Sequence, residues 1–133
     1  MKARTTQLLL LILFGMVLMV PQAWAKDAHN YIVAYSFRAK VFYYTPTFTT
    51  KVDGVSYNKE EYVSDTEAIL EMEDAFKDFL KKKMKVKNRD LTVSARVAYK
   101  SDDIAKVKLE KEIDDFRFKG FTINEIKTFE FDK

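Results

Sequence analysis

The sequence has no cysteine and only one histidine, three glycines and two prolines among 133 residues. Without cysteine the protein can form no disulfide framework, no thiolate metal site and no cysteine nucleophile. One histidine excludes a multi-histidine zinc site, and the sequence contains no G-x-S-x-G motif, phosphate-binding glycine loop or calcium loop. We therefore predict a protein that is not an enzyme and that has neither a cofactor nor a resident metal.

The longest apolar run lies at the N-terminus and is typical of a secretory signal peptide. Lys2 and Arg4 precede the apolar residues 8–20, and small residues at 23 and 25 follow a proline. A retained anchor is the alternative, but this run is shorter than the roughly 20 apolar residues that cross a bilayer. We predict a signal peptide over residues 1–25, cleavage after Ala25 and no transmembrane anchor afterwards. The protein is then exported, to the periplasm in a Gram-negative source and otherwise into the medium.

Removal of the signal changes the composition on which a functional class is judged. The cut takes Lys2 and Arg4 and no acidic residue, so the net charge falls from +3 to +1. A chain of 133 residues that loses 25 leaves 108, which fits one α+β domain over residues 26–133 with a flexible start at 26–30. A net charge near zero does not favour nucleic-acid binding. We therefore expect no nucleic-acid partner.

Two strands rich in aromatic residues are predicted to form a hairpin near the start of the domain. Apolar residues alternate over residues 31–38, and residues 41–50 are dense in aromatic and β-branched types. Pro46 cannot donate to a ladder, so the second strand is expected at a sheet edge or bulged there. The Asp-Gly pair at residues 53–54 predicts a tight turn before a short third strand through Tyr57.

Two amphipathic helices are predicted, with a strand between them. The S-D-T-E sequence at residues 64–67 matches a capping box and starts a helix that runs to about Lys85. Ser101 is the predicted N-cap of the second helix, which ends at Gly120. Each helix has one apolar stripe: Ile69, Met72, Phe76, Phe79 and Leu80 in the first, and Ala105, Leu109, Ile113 and Phe116 in the second.

The element order then predicts the fold class. Residues 91–99 alternate as a one-faced strand, and residues 121–131 form a last strand with Ile126 out of phase. The order β-β-(β)-α-β-α-β predicts an α+β fold, with a small mixed sheet of four to five strands and two helices packed on one face. The β-α-β unit over residues 91–131 is expected to be a right-handed crossover that places its strands parallel.

Aromatic residues are more concentrated in the hairpin region than a one-sided core requires. Adjacent strand residues point to opposite faces, so some tyrosines should be exposed, and tyrosine is favoured at interfaces. The first functional hypothesis is a binding or structural module that contacts a protein partner or a second copy through this face or the edge bearing Pro46. Ordinary cross-strand packing is the alternative. The candidate binding residues are Tyr35, Phe42, Tyr43, Tyr44, Phe48 and Tyr57.

The densest charge run lies at the end of the first helix. A second hypothesis is electrostatic binding of an anionic envelope polymer or lipid. The alternative is a solvated helix end, where lysines complement the helix C-terminus. The run contains no interleaved aromatic residues, which disfavours single-stranded nucleic acid. The candidate residues are Lys81, Lys82, Lys83, Lys85, Lys87 and Arg89.

The third hypothesis is a hydrolase that uses carboxylates alone. Adjacent acidic residues, such as those at 60–61, 102–103 and 114–115, would have to face one cleft, which neighbours on a helix do not do. His29 would complete a copper(II) site near a free N-terminus only if the cut followed Lys26, against the small-residue rule. We expect His29 to be a solvated residue of the N-terminal tail.

Overall fold

The computed structural model describes residues 25–132. The strands are β1 Lys26–Ser36, β2 Val41–Tyr44, β3 Phe48–Val52, β4 Thr92–Tyr99 and β5 Thr122–Glu125, and the helices are α1 Thr66–Lys82 and α2 Asp102–Phe118. The five strands form one mixed sheet, which with the two helices makes an α+β fold. The predicted fold class is confirmed. The predicted signal peptide lies almost entirely outside the described residues.

β1 is the centre of the sheet. Its second half pairs antiparallel with β2 and its first half with β3, while β4 runs antiparallel along its other edge. β5 adds in parallel to the outer side of β2. β4 and β5 therefore run in the same direction, as expected for the β-α-β unit, with β1 and β2 between them.

The two helices cover opposite faces of the sheet. On one face Val33 of β1 packs in a core with Phe116 of α2, and on the other Ile32 packs with Phe76 of α1. This corrects the expected placement of both helices on one face. The reason lies in β1, whose two alternating sets of side chains are both apolar, so that both faces must be covered.

Pro46 interrupts the strand that returns along β1, as its missing N–H predicts. The run over residues 41–50 is divided into β2 and β3, and Thr45 bridges the break. Its N–H donates to the carbonyl of Ile32 at 3.0 Å, and its Oγ1 accepts the N–H of Ile32 at 2.9 Å. The edge of β1 therefore stays hydrogen-bonded across the proline.

Three other segments differ from the sequence prediction. Residues 26–30, expected to be flexible, form the first half of β1 because they pair with β3. Tyr57 lies in a loop closed by an isolated bridge between Ser56 and Tyr62, and not in a strand. The last strand is confined to Thr122–Glu125, and beyond it Phe129 packs into the α1-side core.

Both helices begin at a side-chain cap. Ser101 caps α2 as predicted, with its Oγ accepting the N–H of Ile104 at 3.2 Å. α1 is capped by Asp65 and not by the preceding serine, since the Asp65 carboxylate accepts the N–H of Glu67 at 3.2 Å. Aspartate and serine cap equally well, so the start of the helix moves by one residue at little cost. The predicted stripes supply the buried helical residues, which are Met72, Phe76, Leu80, Ala105, Leu109 and Phe116.

A partly buried ion pair joins β4 to α2. Arg96 donates from Nε and Nη2 to the carboxylate of Glu112, with Nη2 at 2.8 Å. The hydroxyl of Tyr31, a residue only 1% exposed, donates to the same carboxylate at 2.5 Å. Burial and then this hydrogen bond raise the pKa of Tyr31, and the hydrogen bond that Arg96 donates to Glu112 raises the pKa of Arg96. Glu112 therefore satisfies the buried hydroxyl of Tyr31 and the partly buried guanidinium of Arg96.

We expect Glu112→Gln to lower the free energy of unfolding by about 2 kcal/mol, because Arg96 then keeps its charge without a counter-ion. Urea unfolding followed by circular dichroism measures the change. Glu110→Gln, on the exposed side of α2, is the matched control and should stay within about 0.5 kcal/mol of the parent. Equal effects of the two substitutions would contradict the role of the ion pair.

Candidate functional site

Five of the six aromatic residues predicted as a binding face pack with the two cores. Phe42 is buried in the α2-side core and the partly buried Tyr35 and Tyr44 pack against it, while the partly buried Tyr43 and Phe48 pack against the α1-side core. Tyr57 is the exception, being 73% exposed in the loop after β3. The prediction of an open aromatic face is wrong, because each face of the sheet carries a helix. β3 does lie at an edge of the sheet.

Three chain segments meet at the end of the sheet where β1 finishes. They are the β1–β2 turn at residues 37–40, the α1–β4 loop at residues 83–91 and the α2–β5 turn at residues 119–121. The Ser36 hydroxyl donates to both carboxylate oxygens of Asp90, at 2.9 and 2.8 Å, which joins the first segment to the second. The N–H of Thr122 donates to the carbonyl of Lys40 at 2.9 Å, which joins the first to the third.

These segments and the last helical turns before them carry a high density of positive charge. We call residues 36–40, 81–91 and 117–122 the basic end. Its ten basic residues are Arg38, Lys40, Lys81, Lys82, Lys83, Lys85, Lys87, Arg89, Arg117 and Lys119, and all are exposed. Of these ten, Arg117 alone forms a salt bridge with a described residue, to Asp114 at 3.1 Å. Asp90 is the single acidic residue of the basic end.

The rest of the domain has the opposite charge. From residue 26 onward and outside the basic end, the sequence has eleven basic and nineteen acidic residues. The basic end therefore carries +9 and the remainder −8, which together give the near-neutral +1 of the domain. The predicted run from Lys81 to Arg89 is part of this arrangement. Sequence reasoning missed the other four cations because they are distant in sequence and meet only in the fold.

Exposed apolar side chains are interleaved with these cations. Phe118, Phe37 and Met84 are 93, 61 and 45% exposed, and each is next in sequence to one or two basic residues. The ring of Phe37 also contacts Phe121 edge to face, with centroids 5.5 Å apart, which fixes its position. The aromatic residues missing from the lysine run are thus supplied by Phe37 in the β1–β2 turn and by Phe118 at the end of α2.

Asp90 holds the α1–β4 loop against the β1–β2 turn. Besides the two contacts from Ser36, its carboxylate accepts the backbone N–H of Arg38 at 3.4 Å. The Ser36 hydroxyl is the main cause that lowers the pKa of Asp90 below its ordinary value. The only carboxylate of the basic end is therefore occupied in organising the surface.

A groove with a cavity volume of about 430 Å³ lies between β3, the start of α1 and the end of β4. Its lining is largely apolar and includes Val52, Ile69 and Val97. The buried polar side chain among its lining residues, Asn30, donates to Thr50 Oγ1 at 2.9 Å and accepts the N–H of Ala98 at 2.8 Å. The groove has the size of a small-ligand site, but the amide of Asn30 is already satisfied within the protein.

The single histidine is part of the sheet and not of a solvated tail. His29 pairs with Thr49 of β3 and Tyr99 of β4, and its Nδ1 lies 3.9 Å from the Asp102 carboxylate. Asp102 accepts the hydroxyl of Thr47 at 2.7 Å, and this bond is the first cause that lowers its pKa. Within residues 25–132, no group of three or more histidine, aspartate or glutamate residues is arranged to hold a metal ion.

Comparison of the chain with protein-family models, with curated proteins and with solved structures gave no match. Among the described residues, neither helix is long and apolar enough to span a bilayer. The functional conclusion therefore depends on the chemistry of the site itself.

We expect Ser36→Ala to raise the pKa of Asp90 toward the ordinary aspartate value of about 3.9. Because the folded-state pKa is lowered, the Asp90 contribution to stability is present above the unfolded pKa and is lost as pH falls through the folded one. The variant should therefore lose less stability between neutral and acidic pH than the parent. Carboxyl NMR titration reads the pKa directly, with Asp102 as the internal control whose pKa stays low. An unchanged Asp90 titration would contradict this anchor.

Proposed function

We propose that the protein is an exported, non-enzymatic module that binds anionic surfaces through its basic end. The observation that carries this proposal is the convergence of ten exposed cations from three separate parts of the chain onto one end of a domain whose remainder is acidic. Clusters of one sign attract a partner of the other sign and raise the rate of encounter.

Stabilisation of the helix ends accounts for only part of this charge. The lysines in the last turn of α1, and Arg117 in the last turn of α2, complement the helix C-termini. Arg38 lies in the β1–β2 turn, and Lys87 and Arg89 lie in the loop beyond the last turn of α1, where that benefit has faded. Like charges held close together repel one another and so destabilise the compact state. An external anion would relieve this repulsion among the cations of the basic end, which favours an anionic partner.

The expected interaction is electrostatic, and it does not require a particular geometric arrangement of side-chain contacts. Each lysine or arginine close to an anionic surface contributes about 1 kcal/mol. The attraction acts over a Debye length of about 8 Å at physiological salt and shortens as salt is added. Binding should therefore weaken steeply with ionic strength.

We expect the chain from Lys26 onward, which contains the whole described fold, to bind long-chain polyphosphate in a salt-dependent manner. Replacing one cation in each segment of the basic end, in the triple variant Arg38→Gln, Lys87→Gln and Lys119→Gln, removes about 3 kcal/mol, or about a hundredfold in affinity. Isothermal titration calorimetry at several salt concentrations measures both effects.

A second triple variant controls for the loss of net charge. Lys26→Gln, Lys59→Gln and Lys111→Gln remove the same charge from exposed positions outside the basic end. We expect this control to bind polyphosphate nearly as well as the parent. Equal weakening by both triple variants would assign binding to net charge. An absence of binding by the parent both to polyphosphate and to anionic vesicles would overturn the proposed function.

Strand addition at β3 is the second candidate function, and it is favoured by the position of β3 at the edge of the sheet. A second copy or a protein partner would pair with the free side of this strand. Light scattering that shows a strict monomer at high concentration would exclude the self-association form of this candidate.

A further inference from the structure

The basic end has an apolar component that a purely electrostatic ligand does not need. Among residues 25–132, eight large hydrophobic side chains are exposed, and three of them lie there, namely Phe37, Met84 and Phe118. Single exposed hydrophobic residues are normal on protein surfaces. Their combination with flanking cations at one end of a domain is typical of surfaces that bind the interface of a membrane.

We propose that the partner of the basic end is the surface of an anionic phospholipid bilayer, into which Phe118 and Phe37 insert. This inference rests on the proposed function, since the same cations would bind the lipid headgroups. It goes further by naming a partner with an apolar phase beneath its negative charge.

The position of Phe118 supports insertion. It is the last residue of α2, and its side chain is almost fully exposed between two cations. Lys119 lies with its Nζ 5.3 Å from the ring centre of Phe116, so that a cation is fixed beside the helix end. Interfacial side chains enter about 5 to 10 Å, to the boundary between headgroups and acyl chains, while neighbouring lysines stay with the phosphates.

Phe37 and Met84 extend the apolar contact to the other two segments. Phe37 is held against Phe121 and presents its remaining surface to solvent next to Arg38. Met84 lies between two lysines in the α1–β4 loop, and its flexible side chain can adapt to an irregular surface. Each of the three segments thus offers both an apolar group and a cation.

A soluble polyanion and a bilayer make different demands on Phe118. A polymer of phosphates has no apolar region to receive the ring, so its binding should not depend on this residue. A bilayer buries part of the ring, and loss of that burial should weaken partition by about tenfold. The dependence on Phe118 therefore separates the two partners.

The test uses the chain from Lys26 onward with vesicles of phosphatidylcholine alone and of phosphatidylcholine with phosphatidylglycerol. We expect partition only into the vesicles that contain phosphatidylglycerol, and Phe118→Ser to weaken it by about tenfold without changing the affinity for polyphosphate. Val107→Ser is the matched control, because Val107 is 64% exposed on the same helix. Co-sedimentation measures partition, and circular dichroism checks that each variant is folded.

A fluorescent reporter tests insertion directly. The chain from Lys26 onward has no tryptophan, so Phe118→Trp introduces a single one. Its emission should shift to the blue on anionic vesicles and be quenched by brominated lipid. Val107→Trp, eleven residues earlier and about 16 Å away along the helix, should show neither effect.

Each outcome decides between the two proposals. If the chain binds polyphosphate and vesicles but Phe118→Ser has no effect on either, the bilayer inference is overturned and the proposed function stands. If the chain binds neither probe, both fail. If binding occurs only to vesicles and depends on Phe118, the bilayer is the partner and soluble polyanions are not.

Discussion

The burial of β1 on both faces and its pairing on both edges is the constraint on which the rest of the fold depends. Ile32, Val33 and Ala34 have no exposed surface, and successive residues face different helices. Asn30 adds a polar link within the same strand: it accepts the N–H of Ala98, where β4 bends through a left-handed residue with φ of 67°, and donates to Thr50 of β3. Every other element is therefore placed relative to this one strand.

This constraint also brings the basic end together. Because β2 and β4 both run antiparallel to β1, the turn that follows β1 and the loop that precedes β4 lie at the same end of the sheet. β5 starts beside the first residue of β2, which brings the end of α2 to the same place. The cations are thus gathered by strand direction, and specific side-chain contacts are needed only to hold the loops, as Asp90 does with Ser36.

The sequence predicts the elements well because their signals are local. Helix stripes, the Ser101 cap, the one-faced pattern of β4 and the interruption at Pro46 each depend on a few neighbouring residues. The placement of the helices is not local. It follows from both sets of β1 side chains being apolar, which requires cover on both faces, whereas the apolar stripe of each helix does not indicate which face that helix covers. Likewise, no local pattern in the sequence indicates that Arg38 and Lys119 will lie at the same end of the fold as the lysines of α1.

The separation of charge along the molecule has a consequence for encounters in solution. A domain whose charges nearly cancel is drawn only weakly as a whole toward a negative surface, but its +9 and −8 parts are pulled in opposite directions. The result is a torque, which acts within about a Debye length of the surface and turns the molecule while it diffuses. The domain would therefore reach the surface with its basic end already facing it. The fraction of collisions in this orientation would depend on salt, even under conditions in which the total collision rate does not depend on salt.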